Sequence, residues 1–225
     1  MNKNANILLL VGSPKSASST SNSLGDYLIS HLEQLDLSVD KEYIYKLVRK
    51  KEGQKKLLTK VEEADMIILA FPLYIDCLPA GVIEALELIA DRRKSKKDRK
   101  KQRFAIIINC GFPETQHNNT AIAICKIFAR EVGFEWKGAL SLGMGGAIGG
   151  RSLEDRGGMV RNVIKGLDLA VQALAEGEDI PEEATELFGK KIIPISLYTK
   201  VGNMGWNRQA KKYGVRKKIE DQPYL

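Results

Sequence analysis

Residues 7–23 read ILLLVGSPKSASSTSNS, and the order of their parts decides the kind of fold that follows. The five apolar residues at 7–11 do not alternate with polar ones, as a strand with one wet face would. They suit a strand covered on both faces, which is the mark of a parallel sheet. Seven hydroxyl side chains then crowd between Gly12 and Ser23. Beyond them Leu24, Tyr27, Leu28, Leu32 and Leu35 recur at helical spacing on one face. The opening unit is therefore strand, hydroxyl-rich turn, amphipathic helix. Its apolar run is too short for a secretory signal or a membrane span, so the chain is expected to work in the cytoplasm with no membrane partner.

The same unit repeats. Apolar runs at 66–71 (MIILAF) and 104–108 (FAIII) read as buried strands, 138–142 (GALSL) as a strand of small residues, and the more polar 43–48 (YIYKLV) as an edge strand. Helical faces lie between and after them: a short one at 54–63, then Val82, Leu86, Ile89 and Ala90, then Ile124, Cys125, Phe128 and Val132, then Val160, Val163, Ile164, Leu167 and Val171. Five such alternations imply right-handed crossovers and a three-layer α/β sandwich around a five-stranded parallel sheet, order 2-1-3-4-5. That domain is expected to span 1–180. Residues 181–225 read as an extension that packs on the core or a second subunit, with helices at 181–188 and about 206–213, because Ile192, Ile193, Leu197 and Trp206 need burial.

The formal charge of +7 is local: residues 91–103 (DRRKSKKDRKKQR) hold nine Lys or Arg against two Asp, and the rest of the chain balances. A solvated basic loop is expected there. It lacks interleaved aromatics and any nucleic-acid motif, so no specific nucleic-acid partner follows. Cys77, Cys110 and Cys125 are irregularly spaced with no CxxC pair, which suggests neither a disulfide framework nor a zinc site and suits a reducing compartment. Two histidines without carboxylate clusters make no metal site.

In an open parallel sheet of this order the ligand crevice lies outside the carboxyl ends of the strands, among the loops after the first, third and fourth. In the first loop, hydroxyls, free amides and the positive end of a helix suit a phosphate, with Ser13, Lys15, Ser19, Thr20 and Ser21 as contacts. The competing explanation is plain helix capping, for which Ser and Thr are favoured. In the second, 71–80 (FPLYIDCLPA), two prolines stiffen a turn carrying Leu73, Tyr74 and Ile75, apolar side chains that a planar aromatic ligand would cover. In the third, 109–118 (NCGFPETQHN), Gly111 allows close backbone approach and Phe112 offers a ring. The glycines of 143–150 (GMGGAIGG), with a GxGxxxG spacing after a strand, read as a flexible connection, the alternative being close approach to a nicotinamide dinucleotide or a flavin.

Together GSPK with STS and LGDYL, the segment PLYIDCLPAGVIEALE and the NCGFPE loop resemble the flavodoxin-like NAD(P)H-dependent FMN reductases, over roughly residues 5–175. The resemblance implies FMN as cofactor, NADPH or NADH as reductant, and hydride passed from nicotinamide through flavin to a small acceptor such as a flavin or quinone. It assigns Ser13, Lys15, Ser19, Thr20 and Ser21 to the FMN phosphate. It gives Pro72, Leu73, Tyr74, Ile75 and Asp76 to the ring, with the amides of 74–77 near its polar edge, and Cys110, Gly111 and Phe112 to its flank. No side chain is assigned as a catalytic acid or base. Many relatives carry Arg where this chain has Lys15, a point charge in place of a fork. The alternative is a binding or electron-transfer module of the same fold without its own reductase activity. A homodimer or higher homo-oligomer is expected, because the extension and the apolar loops need cover.

Overall fold

The computed structural model describes residues 5–96 and 99–222. Lys97 and Asp98 of the basic run, and the ends of the two expected domains at 1–4 and 223–225, lie outside the described residues. Five parallel strands form one sheet in the order β2-β1-β3-β4-β5: β1 (Asn6–Val11), β2 (Ser38–Tyr43), β3 (Met66–Pro72), β4 (Arg103–Asn109) and β5 (Glu135–Leu142). The expected order is the observed one. β1 is the pivot, pairing with β2 on one side, Leu9 opposite Lys41, and with β3 on the other, Leu9 opposite Ile68.

Alternate residues of the central strands feed two cores. Ile7, Leu9, Val11, Met66, Ile68, Ala105 and Ile107 pack beneath α1 (Thr20–Glu33) and α6 (Arg161–Glu176). Leu8, Leu10, Ile67, Leu69, Phe71, Ile106 and Ile108 pack beneath α3 (Lys51–Glu63), α4 (Ala80–Lys94) and α5 (Asn119–Val132). These strands read as continuous apolar runs because each face meets its own helix layer.

The second strand differs from its expected place. It ends at Tyr43, and 44–47 form a single helical turn, α2 (Ile44–Leu47). Ile44, Leu47 and Val48 are buried together at three- and four-residue spacing, so that apolar trio belongs to a helix. The true edge strand, SVDKEY, is polar because its side chains meet neighbouring helices through charge: Lys41 to Asp26 at 2.5 Å, Lys56 to Glu42 and Lys60 to Asp40 at 2.6 Å.

The basic run is also less of a loop than its composition suggests. α4 continues through Lys94, and Arg93 is buried. Its guanidinium lies 4.2 Å over the Phe134 ring, donates to the Val132 carbonyl at 2.8 Å and donates to Gln102. Gln102 in turn donates to the carbonyls of Val61 and Ala64. Glu62 holds Arg92 and Lys96, and Asp65 holds Lys100. The charge thus pins the entry to β4 against α3.

The described chain divides into two compact units, one ending at Ile192 and one running from Ile193. α7 (Glu182–Phe188), which the sequence grouped with the extension, buries Ala184 and Phe188 in the α1–α6 core. The second unit holds α8 (Ile195–Lys212), longer than the sequence indicates because Gly202 and Gly205 hide its periodicity. A turn follows, closed by the Val215 amide on the Ala210 carbonyl. Within the single chain Trp206 and Leu197 are 69% and 48% exposed. Among the described residues no helix is long and apolar enough to cross a membrane.

Two outcomes follow. Arg93→Met leaves the Val132 carbonyl and Gln102 without their charged donor and lowers stability by about 2 to 3 kcal/mol, read by urea unfolding. Burial pushes the Cys125 thiol from 9.0 up to about 12. Burial favours the neutral thiol in the folded chain, so its contribution is full below the ordinary value of 9.0 and is lost as pH climbs through about 12. Unfolding free energy therefore falls across that window, and Cys125→Ala makes the fall shallower.

Candidate functional site

The carboxyl ends of β1, β3 and β4 open onto one cavity of about 220 Å³, somewhat under the ~300–1,000 Å³ usual for small-molecule sites, as suits a cleft open at its mouth. It is lined by Ser13, Lys15, Ser18, Ser19, Thr20, Ser21, Pro72, Leu73, Tyr74, Asn109, Cys110, Gly111, Gly145, Gly146 and Gly149. Ten of the thirteen sequence candidates therefore meet in one place. Ile75, Asp76 and Phe112 do not line it.

In the first loop the capping explanation and the binding one are both true. Ser19 is the N-cap of α1: its hydroxyl accepts from the Asn22 amide at 3.1 Å and donates to the Ser16 carbonyl at 2.7 Å. Ser18 donates to the Lys15 carbonyl, and Ser13 accepts from the Lys15 amide. These bonds set the loop's shape. The amides of Thr20 and Ser21, in the first turn of α1, have no acceptor among the described residues. Both residues line the cavity, at the positive end of the helix. The exposed Lys15 forms no ion pair among the described residues and supplies the one full positive charge of the lining.

The second loop is a tight turn. The Tyr74 amide donates to the Cys77 carbonyl at 2.9 Å and the Cys77 amide to the Tyr74 carbonyl at 3.1 Å, as in a two-residue hairpin. Those two amides are therefore spent, and of the four at 74–77 only Ile75 and Asp76 keep theirs. Both tip residues have positive φ, 49° and 56°. A β-branched residue is costly there, by about 1–3 kcal/mol. The turn throws Ile75 into solvent, 99% exposed, and leaves Tyr74 at the cavity rim. Burial raises the Tyr74 phenol above its ordinary value, so it stays protonated at neutral pH.

Phe112 stands outside the lining, tilted 30° against the His117 ring with ring centres 4.3 Å apart, and His117 Nδ1 is 3.9 Å from Asp76. The Cys110 thiol is buried, 3.6 Å from the Phe112 carbonyl, and burial raises it above the usual thiol range. All three cysteines are free.

Sequence reasoning missed Asn109 and the 143–150 glycines. Asn109, the last residue of β4, is buried and donates to the Ser21 hydroxyl at 2.8 Å and the Phe71 carbonyl at 3.2 Å, joining the ends of β4 and β3 to the start of α1. An amide at the carboxyl end of a central strand was the available signal. The glycine segment is a wall rather than a flexible connection. Thr20 donates to the Gly145 carbonyl at 2.8 Å. A Cβ on Gly145 would lie 2.9 Å from Asn109 Oδ1, and one on Gly150, where φ is +75°, 2.3 Å from the Ser18 carbonyl oxygen. Only glycine lets this backbone press against both the third loop and the first. Among the described residues no group of three or more His, Cys, Asp or Glu is placed to hold a metal ion.

No protein-family model matches the chain, and no curated protein matches it significantly. Solved structures do. An FMN-dependent NADH-azoreductase from Bacillus anthracis, in complex with FMN, is 15% identical with a TM-score of 0.53 over 76% of this chain and 99% of its own. A Klebsiella pneumoniae protein to which a quinone reductase activity is ascribed is 16% identical with a TM-score of 0.57 over 79% and 88%. A Streptococcus pneumoniae flavodoxin is 17% identical with a TM-score of 0.50 over 76% and 99%. At these identities the likeness speaks for architecture, and the sheet order agrees with it: the chain has the flavodoxin-like α/β fold.

Proposed function

We propose that the cavity holds FMN and that the protein is an FMN-dependent NAD(P)H oxidoreductase, working in the cytoplasm, where three unpaired thiols are stable. One observation carries this reading. The unspent amides of Thr20 and Ser21, with Lys15, share a single cavity with the apolar segment Pro72, Leu73 and Tyr74 and with the glycine backbone of 145, 146 and 149. The first feature suits a phosphate monoester and the second a flat ring, and a mononucleotide of a planar heterocycle has both. The azoreductase of the same fold, solved with FMN, adds support from likeness.

The group, when bound, supplies the redox chemistry, accepting hydride from a nicotinamide and passing electrons to a small acceptor such as a flavin or quinone. This chain's residues bind and orient it. Lys15 and the first turn of α1 hold the phosphate dianion, with the Ser13, Ser19, Thr20 and Ser21 hydroxyls fixing the loop around it. Tyr74 would offer its aromatic side chain to the ring, and Gly145, Gly146 and Gly149 would let backbone approach it. Gly111 would flank the ring beside the buried Cys110. Ile75, Asp76 and Phe112 serve the mouth, where the second reactant enters. No side chain of the lining is placed as an acid or base, because hydride transfer requires none.

Apoprotein titrated with FMN should quench flavin fluorescence with one site per chain. Lys15→Ala weakens that binding about tenfold, or ~1.4 kcal/mol, and Gly150→Ala removes saturable binding while far-UV circular dichroism stays native. In the absence of oxygen, NADH or NADPH should bleach the bound flavin. Bleaching by neither would leave an electron-transfer module, and a folded protein that refuses FMN would end the proposal.

A further inference from the structure

At the opposite edge of the sheet, where β4 begins, a second hollow of about 170 Å³ is lined by Glu62, Arg93, Lys96, Arg99, Lys100 and Gln102. Four of the six are cations and one is a carboxylate. Glu62 is shared between Arg92 at 2.6 Å and Lys96 at 2.8 Å, and Lys100 takes Asp65 at 2.8 Å. Arg93 and Arg99 have no carboxylate among the described residues. Arg93 is 7% exposed and is held by uncharged acceptors: the Val132 carbonyl at 2.8 Å, the Gln102 side chain, and the Lys100 and Gly133 carbonyls at 3.4 Å each. A guanidinium has five N–H groups, so one on Nη1 has no acceptor among the described residues. Arg99 comes to the same place, since a Cβ on Gly133 would lie 3.9 Å from its Nη1. Burial first, and the Arg99 charge second, lower the Arg93 guanidinium below its ordinary value.

Two explanations that need no ligand fall short. Cations are favourable at helix C-termini, and α3, α4 and α5 all end here, but each end carries only about half a negative charge. Three such ends with Glu62 and Asp65 leave the five cations Arg92, Arg93, Lys96, Arg99 and Lys100 about one and a half charges in excess. A solvated basic surface would keep its guanidiniums wet and apart, and Arg93 is neither. We propose that this hollow is a binding site for a phosphate dianion carried by a small soluble molecule, separate from the cavity at the carboxyl edge. Guanidinium forks match phosphate oxygens in pairs, and the spare Arg93 N–H is one such donor. Arg93 is fixed in advance, 4.2 Å over the Phe134 ring. Arg99 is exposed and donates to the Lys96 carbonyl at 3.3 Å, so it can turn onto an arriving anion. A carboxylate brings half the charge and fewer oxygens, and a helix or a nucleic-acid strand is too large to enter. The bound anion would tie the ends of α3 and α4 to the start of β4 and stabilise the native chain in proportion to its concentration. None of this depends on the cofactor reading.

Calorimetric titration of the full chain with inorganic phosphate, at an ionic strength held constant with sodium chloride, should show saturable binding at millimolar concentration or below. Lys15 and the first turn of α1 offer phosphate another place, so the titration is repeated on Lys15→Ala, where the site at the start of β4 should persist. In that background Arg99→Ala should weaken binding about tenfold, as loss of a charged fork does. Arg99→Lys should restore only part of it, because a point charge lacks the fork. Arg99 is exposed, so these chains fold, and the rise of the urea midpoint with added phosphate should shrink in step with the affinity. Competition by AMP identifies a phosphate ester as an acceptable ligand, and its failure restricts the site to the free ion; binding through Arg99 supports the site in both cases. Absence of saturable binding, binding that Arg99→Ala leaves intact, or binding that Lys15→Ala abolishes would overturn the proposal. So would random oligonucleotides that bind through Arg99 where phosphate does not.

Discussion

Parallel pairing on both sides of β1 is the constraint from which the rest follows. Parallel neighbours cannot be joined by tight hairpins, so every crossover must carry a helix over one face of the sheet. All five carboxyl ends then point to one edge. Because the chain leaves β1 through α1 on one face toward β2, and leaves β3 through α4 on the other face toward β4, the two connections diverge, and a gap opens between the carboxyl ends of β1 and β3. The loops with chemical character meet in that gap because the pairing leaves them nowhere else to go.

How much of this was legible in the sequence depended on whether a residue answers to its own neighbourhood or to a distant one. β1, β3 and β4 were plain because burial on two faces demands unbroken apolar runs. β2 was hidden because Asp40, Lys41 and Glu42 answer to Lys60, Asp26 and Lys56 in two other helices, and composition shows charge without its partner. Arg93 misled for the same reason, as its ring and carbonyl partners come from another turn of chain. The site was readable where one loop makes it, as with the hydroxyls of 13–21. It was unreadable at Gly145 and Gly150, whose need for a missing side chain arises from Asn109 and Ser18.

The first loop also shows that capping and binding are not rivals. Helix geometry leaves four amides without intrahelical partners. Ser19 satisfies the one at Asn22, and the Ser16, Ser18 and Ser13 contacts hold the approach rigid. Rigidity is what keeps the next amides aimed outward. A loop with fewer hydroxyls would spend main-chain donors on its own stability. Here the side chains perform that task, and backbone is left over.

The Thr20–Gly145 and Asn109–Ser21 bonds join residues 125 and 88 positions apart in the chain. Contacts of such separation form only after most of the sheet is in register, since the entropy of closing long loops must be met first. The cavity is therefore a property of the finished molecule, missing from any partly assembled intermediate. A molecule that enters it stabilises the complete native state alone, and so draws the folding equilibrium toward completion in proportion to its concentration.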